Sequence, residues 1–146
     1  MNYWVFVIGG REANEVFQRL LKMKNWGFWV NSTVIKKVES LRKGDAVIFY
    51  VGGPNAKYLA GEARLTSDIC KPNRASINMP ERGPLGGMVY FNNIDLWNNK
   101  KIYLTDIVRE QLSFIKNKRN WGTTFRQSIV SITKIAYNDI KNLIKV

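Results

Sequence analysis

Trp26-Gly27-Phe28-Trp29 places two tryptophans and a phenylalanine within four positions, bracketed by Asn25 and Asn31. A second Trp-Gly pair, Trp121-Gly122, follows a basic knot running from Lys116 through Lys118 to Arg119. Aromatic faces stack on nucleobases while lysine and arginine meet phosphate, so these residue types together can hold nucleic acid without histidine or metal. A single extruded base is gripped in the same way, between rings, with polar groups reading its Watson–Crick edge. The chain supplies both partners in quantity: five Trp, six Tyr and seven Phe stand beside 23 Lys plus Arg. The net charge is +12, which favours a polyanionic partner through counterion release. Against this stands a plainer reading, in which runs such as Lys36-Lys37 and Lys100-Lys101 are solvated faces that keep the protein in solution.

Other chemistries find little support. The sequence contains no histidine, which removes the commonest general base and metal ligand and makes a Ser-His-Asp or Cys-His triad impossible within the chain. Cys70 is the only cysteine, so neither a zinc site of cysteine and histidine ligands nor an internal disulfide forms, and its usage suits a cytoplasmic protein. Glu12 and Glu15 read as first-turn charges favoured by a helix dipole. The glycine pairs Gly9-Gly10, Gly52-Gly53 and Gly86-Gly87 lack the spacing of a phosphate-cradling loop. No cofactor and no metal are expected, and the apolar start of the chain is too short for a signal peptide or a spanning helix.

The elements that must position these residues follow from hydrophobic period. Asn2 to Ile8 reads as a buried strand ending at Gly9-Gly10, and Glu12 to Lys24 as a helix with Ala13, Val16, Phe17, Leu20 and Leu21 on one face. Val34, Ile35, Val38 and Leu41 recur at helical spacing. Ala46 to Val51 is a strand whose hairpin partner runs from Tyr58 to Leu65. Ser67 to Gly87 reads as a long loop, Met88 to Leu96 as a strand and Lys101 to Leu104 as a short one. Thr105 to Leu112 predicts a capped helix, Arg126 to Ile132 a strand, and Ala136 to Ile144 an amphipathic helix with Tyr137, Ile140, Leu143 and Ile144 inward. With 146 residues and 45% hydrophobic composition, residues 1–146 are expected to form one α+β domain built on a small curled sheet or barrel. Trp4 and Phe28 belong to packing on this reading, Trp29 leans the same way, and Trp26 divides between packing and ligand contact. Trp121 either flanks a nucleic-acid path or anchors a loop.

The order of motifs resembles that of the EVE domains, members of the PUA-like group that also holds the YTH domains. It runs from Y-W-V-F-V-I through a helix to N-W-G-F-W-V-N, then L-R-K-G-D-A-V-I-F-Y-V, A-G-E-A and W-G-T-T-F-R-Q-S-I-V-S-I-T before a final helix. Lys43 to Tyr50 with Gly61 to Ala63 is the most specific part, and the resemblance extends from Asn2 to about Ile144. It implies a PUA-like curled mixed sheet or pseudo-barrel flanked by short helices. It also implies nucleic-acid binding, since the related YTH domains hold one modified base in an aromatic pocket. The pocket tryptophan it points to is Trp26 or Trp29, with Trp97 as a second wall and Asn31 and Ser32 placed to read a base edge. Arg126 and Ser128, together with the knot of Lys116, Lys118 and Arg119, lie where the nucleic-acid backbone is expected. The tryptophan segment here lacks the R-N-Y stretch of the bacterial EVE pattern, and Ser67 to Gly87 is enlarged.

Three functions are therefore in competition. The first is a non-enzymatic reader of a modified (methylated) base in DNA or RNA. The second is a general RNA-binding PUA-like module without such selectivity. The third is a hydrolase or nuclease working through carboxylates such as Asp45 and Glu62.

Overall fold

Two apolar runs meet at the centre of the molecule. In the computed structural model, which describes residues 1–29, 39–54, 56–74, 76–77, 85–115, 119 and 129–145 with the backbone alone of Trp29 and Leu85, β1 (Tyr3–Ile8) pairs in parallel with β3 (Ala46–Val51). β7 (Ile129–Ile132) lies antiparallel on the free side of β1. On the other side β3 forms the expected hairpin with β4 (Tyr58–Arg64), and the two-residue β6 (Ile102–Tyr103) closes the order β6-β4-β3-β1-β7. All six residues of β3 are buried, the pattern of a strand covered on both faces.

Side-chain alternation sorts the core into two layers. Trp4, Phe6, Ile8, Val47, Phe49 and Val51 face one way, and Val5, Val7, Ile48 and Tyr50 the other. The first face is covered by α1 (Ala13–Met23), which buries Ala13, Val16, Phe17 and Leu20 as its periodicity predicts. It is also covered by a ribbon of β2 (Asn25–Trp29) and β5 (Leu85–Tyr90), which contributes Trp26, Phe28 and Val89. Phe49 is the hub of this layer, with the rings of Phe6, Phe17 and Phe91 at centroid distances of 6.0, 6.0 and 5.1 Å. Truncating such a residue costs about 3–5 kcal/mol. The second face is covered by α2 (Asp106–Gln111) and α3 (Lys134–Ile144), with Ala136 and Ile140 at its centre. α2 starts at the expected cap, Thr105, whose Oγ1 accepts from the Val108 amide; α3 starts two residues before its expected Ala136, capped by Thr133, whose Oγ1 accepts from the Ala136 amide.

Bridges between Leu65 and Phe91 and between Cys70 and Met88 tie the ribbon to the continuation of β4, so the sheet curls over its first face. The result is a mixed α+β fold with a curled, mostly antiparallel sheet and, among the described residues, three short helices. Two expectations shift. The strand placed at Met88 to Leu96 begins at Leu85 and ends at Tyr90. Beyond it Asn92 exchanges bonds with Arg64, its side-chain oxygen taking the Arg64 amide at 3.0 Å in place of a ladder carbonyl. The loop placed at Ser67 to Gly87 is shorter than expected, because Cys70 pairs with Met88 and residues 85–87 already belong to β5. Of the helical spacing read from Val34 to Leu41, residues 34–38 lie outside the described residues, while Glu39 and Ser40 form a turn and Leu41 is buried.

Candidate nucleic-acid interface

Two carboxylates anchor the parts of the sequence that carry the family motifs. In the K-G-D turn, Gly44 takes a φ of 94°, a conformation that excludes a side chain at little cost only for glycine, and the next residue points back into the protein. Asp45 is buried, and its Oδ1 accepts the Asn2 amide at 2.9 Å. Its Oδ2 accepts the Trp4 indole N–H and the Arg42 amide, both at 3.0 Å. The turn thus fastens the start of β1 to the start of β3. Glu62, in the G-E-A of β4, occupies the other face. It accepts the indole N–H of Trp97 at 3.1 Å, together with the Tyr137 hydroxyl and the Lys141 ammonium of α3. Burial holds the Tyr137 hydroxyl above its ordinary value of 10.0, with Arg64 opposing. At Lys141 burial, reinforced by Lys145, outweighs the Glu62 partner and holds the ammonium below 10.5. The carboxylate-pair reading fails on this geometry. Asp45 bonds to Trp4 of the first layer, while Glu62 bonds to Trp97 of the second, so the sheet stands between them and hydrogen bonds occupy both.

The tryptophan cluster folds as strand β2. Asn25 is buried at its start: its Nδ2 donates to the Met23 carbonyl, and its Oδ1 accepts the Ile77 amide at 2.8 Å. The Gly27 amide donates to the Ile77 carbonyl at 2.8 Å, which clamps Ile77 along β2. Trp26 is 1% exposed and packs in the first layer. Its Nε1 is buried with no acceptor among the described residues. Trp97 is 5% exposed and packs in the second layer. The proposed pairing of Trp26 with Trp97 as facing pocket walls is therefore corrected: the five-stranded sheet separates them, and neither ring presents an open face. Trp29 ends β2 opposite Leu85, beyond an irregularity in the ladder that follows Phe28. Arg119 is exposed in a turn. Asn31, Ser32, Lys116, Lys118, Trp121, Arg126 and Ser128 lie outside the described residues.

One feature escaped the sequence reading. Trp97, Asn98 and Asn99 have φ of 54°, 56° and 63°, forming a left-handed turn. Asparagine tolerates this region, but tryptophan does so at a cost of roughly 1–2 kcal/mol. The Trp97 amide bond to Asp95 Oδ1 at 2.8 Å and the indole bond to Glu62 hold it there. The signal available was an acidic residue inside an apolar strand, Glu62, which needs partners from elsewhere in the chain. Among the described residues no cluster of His, Cys, Asp or Glu could hold a metal ion, and no helix is long and apolar enough to cross a membrane.

The curled sheet, parallel β1–β3 core and flanking helices make a fold shared with solved structures of DUF55 and YTH domains. The comparisons with solved structures agree over nearly the whole length. The DUF55 domain of human thymocyte nuclear protein 1 aligns at 15% identity with a TM-score of 0.64, covering 99% of each chain. Human THYN1 in complex with 5-methylcytosine-containing DNA aligns at 13% identity and a TM-score of 0.61, over 100% of this chain and 99% of that one. The MmI1 YTH domain aligns at 14% identity and a TM-score of 0.62, over 99% of this chain and 96% of that one. No family model and no curated protein matches the sequence.

Proposed function

We propose that this protein is a non-enzymatic reader that binds nucleic acid and holds a modified base in an aromatic pocket with a basic rim. The observation that carries the reading is the end-to-end correspondence of its fold with that of human THYN1, a protein solved with 5-methylcytosine DNA. The +12 net charge supplies the electrostatic complement. Since Trp4, Trp26 and Trp97 are committed to the core, the pocket wall is assigned to Trp29, with Asn31 and Ser32 as base readers. Lys116, Lys118, Arg119, Arg126 and Ser128 are assigned to the backbone. The test is a fluorescence-anisotropy panel of DNA and RNA oligonucleotides, each with and without one modified base. One modification should bind at least tenfold more tightly than its unmodified counterpart, and Trp29→Ala should abolish that ratio while leaving the circular dichroism spectrum intact. Equal affinity across the panel would refute the reading.

Burial of Trp26 and Trp97 favours the second reading, a general RNA-binding module. On that reading affinity falls steeply with salt, arginine and lysine substitutions dominate, and Trp29→Ala has no selective effect.

A further inference from the structure

Two elements cover the first face of the sheet, α1 and the ribbon of β2 and β5, so their outward sides belong to one surface. The segment from Cys70 to Arg74, with Ser76 and Ile77, crosses the outward side of the ribbon as a strap. Cys70 exchanges backbone bonds with Met88 at the β5 edge, Ser76 Oγ meets Met88 Sδ at 3.1 Å, and Ile77 is bonded along β2 by Asn25 and Gly27. Between these ties Asn73 Nδ2 donates to the Tyr90 hydroxyl at 3.4 Å, and Lys71 and Arg74 are exposed on either side. The end of α1 lies beside the strap. Asn25, whose Oδ1 takes the Ile77 amide, donates its Nδ2 to the Met23 carbonyl at 3.2 Å, and the Lys24 carbonyl takes the Phe91 amide at 3.0 Å. Lys22 stands about 200° around the helix from the buried Leu20, so it faces outward there.

The charge of this surface is one-sided. From Val16 to Trp29 and from Ile69 to Ile94 the described residues include Arg19, Lys22, Lys24, Lys71 and Arg74 but no acid. Glu15 of α1 is about 10 Å from Lys22 along the helix axis, and Asp68 turns its Oδ1 to the Lys43 amide. Among the described residues the ion pairs are Arg109 with Asp106 and Lys141 with Glu62, both elsewhere.

We propose that this surface is a nucleic-acid backbone contact, with phosphates of one strand meeting Lys22, Lys24, Lys71 and Arg74. Cations gathered without counter-charges repel one another, and a polyanion relieves that repulsion while releasing its own condensed counterions. The ribbon also connects the surface to the proposed pocket wall. Lys24 precedes β2 and Trp29 ends it, about 17 Å away, which is the span of about five phosphates along a stacked strand. The proposal rests on the nucleic-acid reading but not on which base modification is read.

The experiment follows the full chain binding a labelled single strand by fluorescence anisotropy, from about 50 to about 300 mM salt. The variants are Lys22→Gln with Lys24→Gln, Lys71→Gln with Arg74→Gln, and, as a control, Lys134→Gln with Lys145→Gln, two exposed lysines of α3 on the other side of the sheet. Each of the first two pairs should lower the slope of log affinity against log salt by about 1.4, the share of two phosphates on a single strand. Binding at about 100 mM salt should weaken about tenfold, and the control should keep the wild-type slope. The ratio of affinities for modified and unmodified strands should not change in any of them. The contact is refuted if either pair keeps the wild-type slope and affinity, or if the control lowers the slope as much, the signature of net charge alone. It is also refuted if phosphatidylserine vesicles bind the wild type more tightly than the strand does and lose that binding in both pairs, which marks a membrane surface. Those results leave the reader proposal standing, whereas a wild type that binds no nucleic acid overturns both. Equal affinity for modified and unmodified strands, with the expected slopes, overturns the reader alone.

Discussion

Replacing Asp45 with alanine removes the acceptor of three N–H donors at once: the Asn2 amide, the Trp4 indole and the Arg42 amide. The Trp4 bond is buried, so its N–H would be left without water and would cost the desolvation of an unsatisfied donor, about 1–3 kcal/mol. The other two bonds are part-buried, where water partly substitutes, and each adds about 1 kcal/mol. The expected total is about 3–5 kcal/mol, a large share of the 5–15 kcal/mol typical of a domain. Asp45→Asn keeps one oxygen, which can still serve Trp4 and Arg42, but it turns an NH2 towards Asn2; about 1–2 kcal/mol is expected. Because Trp4 and Asp45 share a bond, Trp4→Phe combined with Asp45→Ala should cost less than the sum of the single changes. Urea unfolding at pH 7, followed by circular dichroism, measures the wild type and all four variants. An Asp45→Ala loss below 1 kcal/mol, or an asparagine variant as damaged as the alanine one, refutes the argument that this motif residue is a structural anchor.

Three further outcomes are expected. Burial pushes the Tyr50 hydroxyl up to about 12, above its ordinary 10.0, so its stabilising contribution is complete below pH 10 and is lost as pH rises towards 12. The loss amounts to about 2–3 kcal/mol, and Tyr50→Phe should flatten the alkaline limb of a stability–pH curve; Tyr137 acts in the same direction and leaves a residue of it. At Gly61 an added Cβ would sit 2.5 Å from the Asp95 carbonyl oxygen, a backbone atom that also accepts the Glu62 amide, so Gly61→Ala should lower stability by about 1–3 kcal/mol in thermal or urea unfolding. Glu62→Gln should cost about 1–3 kcal/mol by leaving the Lys141 ammonium without its counter-charge, and Lys141→Met in the same chain should restore part of it. Failure of Lys141→Met to recover any stability would show that Trp97 and Tyr137 carry the effect.

Local pattern made much of this protein legible from its residues. The 3.6 period of Ala13 to Leu20, the threonine cap at Thr105, and the apolar runs of β1 and β3 depend on neighbours in sequence, and each appears within a few residues of its expected place. The charge, the missing histidine and the ordered motifs were equally visible, and they pointed to the fold and to a polyanionic partner. Tertiary structure decided what composition leaves open. Nothing local distinguishes a tryptophan that walls a pocket from one that fills a core, because both want an apolar surface against the ring. The difference is which side of the sheet each strand presents. Alternation along β1 and β3 sets two layers, the curl of the ribbon puts Trp26 in one, and the left-handed turn puts Trp97 in the other. The same assembly turned Asp45 and Glu62 from candidate catalysts into anchors, since their donors come from segments distant in sequence, and it brought Lys22 and Lys24 to one side of the molecule with Lys71 and Arg74.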